Sequence, residues 1–559
     1  GLFTWSVIGN QVHSISEPFF DAFLSNLTMD LNKLRTHLEA YDQGHLLDHY
    51  DRVADEKKKA FLDELSGLDL ARVNRVFELS STDSTDSGEK DNSLEPIPES
   101  ARDSVASASE ESLKKWREAG LEAIADNQVA VLLLAGGQGT RLNVPYPKGM
   151  YDVGLPSQKT LYQIQAERIL KVQKLAEDQT GKSCVVPWYI MTSEHTQTST
   201  EEFFSEHHYF GLKKENVVFF EQNLFPCLTP EGKIILSAPG KVAKSPDGNG
   251  GLYKAMGEKG ILKDMEKRGV ECIHVYGVDN ILVKVADPVF VGFCRLKGAG
   301  CGAKVVEKVL PTEKVGVICR MNGRFKVVEY SEISLELAQK RDKSGHLVFN
   351  AGNICNHYFT VDFLKDVVSH HEGELRPHVA KKKIPCVDSE GNCVKPTKEN
   401  GIKLEKFVFD VFEFSKEFAV LQVIREEEFS PLKNAPGAAK DTPEMARDAL
   451  CNLHYQYIVN SGGQFKRDNE EILPDIPRKT GIDQAINGSV CMPPVPCEIS
   501  PLLSYAGEGL REKVEGQVFY ASKPLHLQSE DELNITNGNG KNSPSKEPYA
   551  KRLRAEDNE

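Results

Sequence analysis

Six apolar residues, Val129 to Leu134, run without a polar break into Ala135-Gly-Gly-Gln-Gly-Thr-Arg-Leu142. A run of this kind reads as a strand buried on both faces of a parallel sheet. Gly136, Gly137 and Gly139 follow at once, so backbone N–H groups can approach an anion closely, and phosphate is the natural guest. Beyond the turn, Arg141 offers a planar fork for phosphate oxygens and Lys148 a mobile point charge. Two commoner phosphate loops do not fit. A dinucleotide fingerprint needs a third glycine where Leu142 stands, and a kinase-type loop needs Ser or Thr where Lys148 is followed by Gly149 and Met150. The combination points to nucleotidyl transfer.

At 559 residues the chain is too long for one ordinary core. Its 68 Lys and Arg against 82 Asp and Glu give a net charge of −14, which argues against a nucleic-acid surface or a polybasic membrane anchor. Phosphate binding must therefore rest on local cations. The 12 cysteines form no C-x-x-C pair and mostly sit in apolar runs, as at Cys272, Cys294 and Cys319, which predicts reduced core thiols and a cytoplasmic protein. No stretch approaches 18 consecutive apolar residues, so no membrane association is expected.

Gly1 to Thr28 reads as sequence upstream of the native start, because an amphipathic helical pattern opens at Met29. The expected organisation is an N-terminal helical region over 29–127 with a Ser/Asp/Glu-rich linker at 80–110. A catalytic domain over 128–432, a smaller β-containing domain over 433–528 and a disordered tail over 529–559 follow. Within the catalytic span, Leu161, Ile164, Arg168, Val172 and Leu175 share one helix face. Short β-rich runs at 185–191, 217–220, 273–278 and 305–306 alternate with helical patterns. That alternation predicts an α/β fold with a mainly parallel central sheet and ligands at the carboxyl ends of its strands.

Further along, Val275-Tyr-Gly-Val-Asp-Asn280 closes a strand with a carboxylate. Asp279 there suits Mg²⁺ and a turn or helix cap equally well. Gln222, closing Phe219-Phe-Glu-Gln222, has an amide that can complement the donor and acceptor edge of uracil. Pro246-Asp-Gly-Asn-Gly-Gly-Leu252 joins glycines that permit close approach to Asn249, which both donates and accepts, a mixture suited to sugar hydroxyls. The pairs His207-His208 and His370-His371 do not read as metal sites, since neighbouring residues on a strand face opposite ways and no third ligand has suitable spacing.

Leu134-Ala-Gly-Gly-Gln-Gly-Thr-Arg-Leu142 with Tyr146-Pro-Lys-Gly149 resembles the signature of eukaryotic UDP-N-acetylhexosamine pyrophosphorylases, and the resemblance runs from about Met29 to about Phe519. It implies a Rossmann-like, glycosyltransferase-A-like core. It also implies a Mg²⁺-dependent reaction of UTP with N-acetylglucosamine-1-phosphate giving UDP-N-acetylglucosamine and pyrophosphate, in a monomer or homodimer. By the same resemblance Arg141, Lys148 and Lys433, the last in Phe429-Ser-Pro-Leu-Lys-Asn434, contact phosphates, and Asp279 takes the metal or substrate role. Leu134, Ala135, Gly136, Gly137 and Gln222 hold the nucleotide. Gly248, Asn249, Glu329, Tyr330, Asn353, Phe407 and Phe409 surround the sugar, the two phenylalanines as neighbours on one strand face at the acetamido group. A site read partly through backbone is expected to accept the galacto epimer too. Asn143 departs from the pattern, where many relatives have glycine. A UDP-glucose-type enzyme and a silent nucleotide-sugar-binding paralogue remain the alternatives.

Overall fold

The computed structural model describes residues 31–81, 93–475 and 495–533. The expectations for residues 1–28 and for most of the tail lie outside these residues. The chain forms two compact units. In one, residues 31–81 share an apolar core with 224–245 and 376–405, in which Leu38, Leu65 and Leu228 are fully buried. The two later segments fall inside the span expected to be wholly catalytic, because their apolar strands complete the core of the N-terminal helices.

The other unit is built on a central sheet whose main strands we number β1 (Arg102–Ser104), β2 (Val129–Leu134), β3 (Trp188–Thr192), β4 (Val217–Glu221), β5 (Cys272–Gly277), β6 (Cys301–Glu307), β7 (Ala351–Thr360) and β8 (Phe418–Val423). Their order is β1-β8-β6-β7-β5-β2-β3-β4. Every neighbouring pair is parallel except those made by β7, which runs antiparallel to β5 and β6. All six residues of β2 are buried, as its unbroken apolar sequence requires. Between β6 and β7 the register slips, and Cys355 in the slipped stretch takes a left-handed backbone, φ 51°.

β1 falls within the expected linker. Residues 93–104 are ordered because the Arg102 guanidinium binds Asn350 Oδ1 at 2.8 Å and Gln422 Oε1, fastening the strand to the sheet edge. Residues 433–475 and 495–533 lie in the same compact unit as the sheet rather than in a separate domain. They include the helix Pro443–Asn460 and two short parallel strand pairs. Residues 529–533, placed in the expected tail, are tied to the rest of the unit, since Glu532 reaches Lys159 Nζ at 2.9 Å. Among the described residues no helix is long and apolar enough to cross a membrane.

Behind the sheet, the helices Glu110–Ala125 and Pro288–Leu296 meet through glycines. A Cβ on Gly120 would lie 1.9 Å from the Pro288 carbonyl oxygen, and one on Gly292 1.8 Å from that of Trp116. Gly292→Ala must force these backbones apart, and thermal unfolding is expected to show a loss of about 1–3 kcal/mol.

Three buried histidines make the fold acid-sensitive. Burial, helped by Lys304, pushes His274 down to about 4, and burial pushes His357 and His454 down to about 3. These folded values lie below the unfolded value near 6.5, so as pH falls below about 6.5 the unfolded chain takes up protons that the native state refuses. Stability is fully present above that pH. It falls by up to about 1.4 kcal/mol per pH unit per histidine below it. His357 packs between the Phe359 and Phe412 rings, so His357→Leu should lose less of its pH 7 melting temperature at pH 5 than the unsubstituted chain does.

Candidate active site

The carboxyl ends of β2, β3, β4 and β5 and the start of antiparallel β7 share one edge of the sheet, and the candidates Leu134, Gln222, Asp279 and Asn353 lie at or just beyond it. Leu134 pairs with Gly277 at this edge, and the Ala135 N–H donates to the Met191 carbonyl. Just beyond it, the Ser193 hydroxyl donates to the Gly136 carbonyl at 2.9 Å, which fixes the start of the turn. A Cβ on Gly136 would stand 2.5 Å from Gln222 Nε2, so the glycine turn and the glutamine amide are in contact, whereas Gly137 faces open space. Asn143 has φ 57°, a left-handed conformation that asparagine tolerates better than most side chains.

The chain then closes a second turn, Lys148–Met150, with Gly149 against the face of the Tyr162 ring. Lys148 Nζ lies 3.9 Å from Asp279 Oδ2. Burial pushes the Lys148 ammonium below the usual lysine range, Asp279 opposes that shift, and the nearby charges of Lys433 and Arg141 add to it. The three cations and the carboxylate thus form one electrostatic cluster, although Arg141 and Lys433 are remote in sequence. Cys355 borders it: burial raises its thiol to about 12, with Asp279 pushing the same way and Lys433 opposing.

Asp279 sits in the turn after β5, held from behind by the helix Leu161–Thr180. Gln165 Nε2 donates to the Val278 carbonyl at 3.3 Å, and the buried Arg168 guanidinium donates to the carbonyls of Ile281 at 2.7 Å and Val283 at 2.9 Å. Lys433 arrives on a segment laid along this turn, with the Leu432 N–H on the Asp279 carbonyl at 2.8 Å. The Asn280 amide makes the side-chain link. It donates to the Glu428 carbonyl at 2.7 Å and accepts from the Ser430 N–H at 3.0 Å.

The sugar candidates form two groups. In the first, Gly248 has φ 85°, and the turn it opens lies so close to 406–408 that a Cβ on Gly250 would meet the Phe407 carbonyl oxygen at 2.6 Å. Asn249 Oδ1 accepts the Val408 N–H at 2.9 Å, leaving its amide N–H groups for a ligand. Phe407 and Phe409 do not share a strand face. They stand on a turn after the strand Gly401–Glu405, with ring centroids 5.1 Å apart, because Asp410 Oδ2 accepts the Phe407 N–H and bends the chain. In the second group, the Asn353 N–H donates to the Gly316 carbonyl at 2.9 Å, and a Cβ on Gly316 would meet Glu329 Oε1 at 2.8 Å. Tyr330 is 45% exposed beside Glu329.

Sequence reasoning missed Gly316, Cys355, Gln165, Arg168 and Asn280. Arg168 carried a signal, a charge on an otherwise apolar helix face; Asn280 carried only its place after Asp279. No group of three or more His, Cys, Asp or Glu suited to a metal occurs among the described residues. Asp279 alone beside the cations still fits Mg²⁺, which takes one or two carboxylates and completes its shell with phosphate oxygens and water.

The chain matches the family described as UTP–glucose-1-phosphate uridylyltransferase over residues 75–478. It is 52% identical to the human UDP-N-acetylhexosamine pyrophosphorylase-like protein 1, across 89% of this chain and 97% of that relative. Identity to the UDP-N-acetylglucosamine pyrophosphorylase of Saccharomyces cerevisiae is 41%, across 86% of this chain and 94% of the yeast protein. The crystal structure of the uridine diphosphate N-acetylglucosamine pyrophosphorylase from Trypanosoma brucei, in complex with inhibitor, is similar at a TM-score of 0.73 and 28% identity, covering 93% of this chain and all of that one. Identity of this order along nearly the whole length, on the sheet edge the motifs anticipated, means that the chain belongs to the eukaryotic UDP-N-acetylhexosamine pyrophosphorylase family.

Proposed function

We propose that the chain transfers the uridylyl group of UTP to N-acetylglucosamine-1-phosphate, forming UDP-N-acetylglucosamine and releasing pyrophosphate. The observation that carries this reading is the cluster of Arg141, Lys148, Lys433 and Asp279 on the same sheet edge as the Gly136–Gln222 contact.

Each group has a part to play. Gln222 and the Gly136–Gly137 backbone read uracil, setting the α-phosphorus near Lys148. A phosphate oxygen of the sugar phosphate attacks that phosphorus, the bond to the bridging oxygen of the β-phosphate breaks, and pyrophosphate leaves with the electron pair. No proton transfer is required, so holding and neutralising anions supplies most of the catalysis. Lys148 answers the charge at the α-phosphate, Arg141 holds the departing phosphates, and Lys433 contacts the phosphates beside Asp279. Asp279 would hold Mg²⁺, which would supply positive charge to neutralise phosphate oxygens.

Asn249, Asn353 and Glu329 offer polar atoms to the sugar hydroxyls, with Tyr330 beside them, while Phe407 and Phe409 give the acetamido methyl an apolar wall. N-acetylgalactosamine-1-phosphate is a second acceptor on this reading. The unbridged core thiols Cys272, Cys294 and Cys301 support a cytoplasmic location.

Mass spectrometry of UDP-sugars formed from UTP and Mg²⁺ with N-acetylglucosamine-1-phosphate, N-acetylgalactosamine-1-phosphate or glucose-1-phosphate tests the reading. Product is expected from the acetamido sugars, with turnover at least about a hundredfold lower in Lys148→Ala. Product mainly from glucose-1-phosphate would move the chain to the sister activity, and none from any sugar would leave a binding protein. Gly136→Ala displaces only the flexible end of Gln222, so it should keep its melting temperature while the KM for UTP rises about tenfold or more.

A further inference from the structure

Asn280 touches none of the proposed phosphate contacts, yet it joins the segment of Asp279 to the segment that carries Lys433. It is 4% exposed, and both ends of its amide are engaged. Nδ2 donates to the Glu428 carbonyl at 2.7 Å, and Oδ1 accepts from the Ser430 N–H at 3.0 Å and from the Leu282 N–H at 3.3 Å. The backbone repeats the connection, through a bridge between Asn280 and Pro431 and through the Ile281 N–H on the Ser430 carbonyl.

The two segments differ in their other supports. The Asp279 turn leaves a central strand and is held independently by Gln165 and Arg168. Residues 429–433 come after the short helix Arg425–Glu428 in an irregular stretch, held at its start by Glu428 on Lys304, along its middle by the bonds with 279–281, and at Lys433 by its N–H on the Asp441 carbonyl at 2.8 Å. Loss of the Asn280 amide leaves Asp279 in place and removes the side-chain link that holds the middle of the Lys433 segment, between its two end supports, to the Asp279 turn.

We propose that Asn280 is a positioning residue that seats the Lys433 segment on the Asp279 turn, and so holds the Lys433 ammonium near that of Lys148 for uridylyl transfer. This rests on the function proposed above. Asn280 acts through Lys433, which separates it from a residue that only stabilises the fold: a stability effect is felt in any background, whereas a positioning effect disappears once Lys433 is removed.

The test is a double-mutant cycle on the full chain, measuring kcat and the KM for UTP with N-acetylglucosamine-1-phosphate for the unsubstituted chain, Asn280→Ala, Lys433→Ala and the pair. Asn280→Ala is expected to lower kcat about tenfold while the KM for UTP changes less than twofold, because the uracil contacts lie elsewhere. In the Lys433→Ala background the same change should lower kcat less than twofold. An equal loss in both backgrounds, or no loss from Asn280→Ala alone, overturns the proposal. If Asn280→Ala does not fold, Asn280→Ser, which keeps an oxygen at the site, takes its place in the cycle under the same criteria. Full activity in Lys433→Ala would instead overturn the role given to Lys433, and absence of turnover by the unsubstituted chain would overturn the functional reading itself.

Discussion

The ammonium of Lys304 is fully buried in β6, and the site depends on the two carboxylates that make its burial tolerable. Asp287 lies 2.6 Å away, and Glu428 binds it from the other side while also standing 3.4 Å from Lys284. Removing one member of such a group would leave an uncompensated charge, at a cost of about 3–5 kcal/mol. Each carboxylate also has a structural duty. Asp287 accepts the Val289 N–H at the start of the helix Pro288–Leu296, and the Glu428 carbonyl receives the Asn280 amide. The charged core thus fastens the helix behind the sheet and the segment that delivers Lys433.

The site shows how a chain of net charge −14 assembles a cationic pocket. Charge balance over the whole molecule is irrelevant at this range, because partly buried groups interact with little screening. Arg141 and Lys433 stand near Lys148, which lies 3.9 Å from the Asp279 carboxylate, and the mutual repulsion of the three is offset by the backbone bonds that hold their segments. A trianionic phosphate chain relieves the repulsion, so binding and local electrostatics favour the same occupant.

Much of this was legible in the residues. The apolar run of β2 could only be buried, and the glycines after it marked the turn that meets Gln222. The helix Leu161–Thr180 runs from its Thr160 cap to Gly181 as its periodicity anticipates. Other parts were not. Residues 93–104 have the composition of a linker, and their place at the sheet edge comes from Arg102 meeting Asn350 and Gln422, partners about 250 and 320 residues away. The alternation of Phe407 and Phe409 suggested a strand, but the Asp410 carboxylate captures the Phe407 N–H and makes a turn, a local competition that periodicity does not register.

By itself the sequence determined the α/β class, the buried central strand and the glycine-rich turn that follows it, since these follow from hydrophobic pattern and local backbone freedom. Only the tertiary structure decided that the N-terminal helices complete their core with 224–245 and 376–405, that antiparallel β7 brings Asn353 and Cys355 to the site, and that the Lys433 segment lies on the Asp279 turn. Those outcomes rest on pairings between segments up to several hundred residues apart. The free energy of such contacts lies in shared burial and in mutual hydrogen bonds, and no single segment carries it.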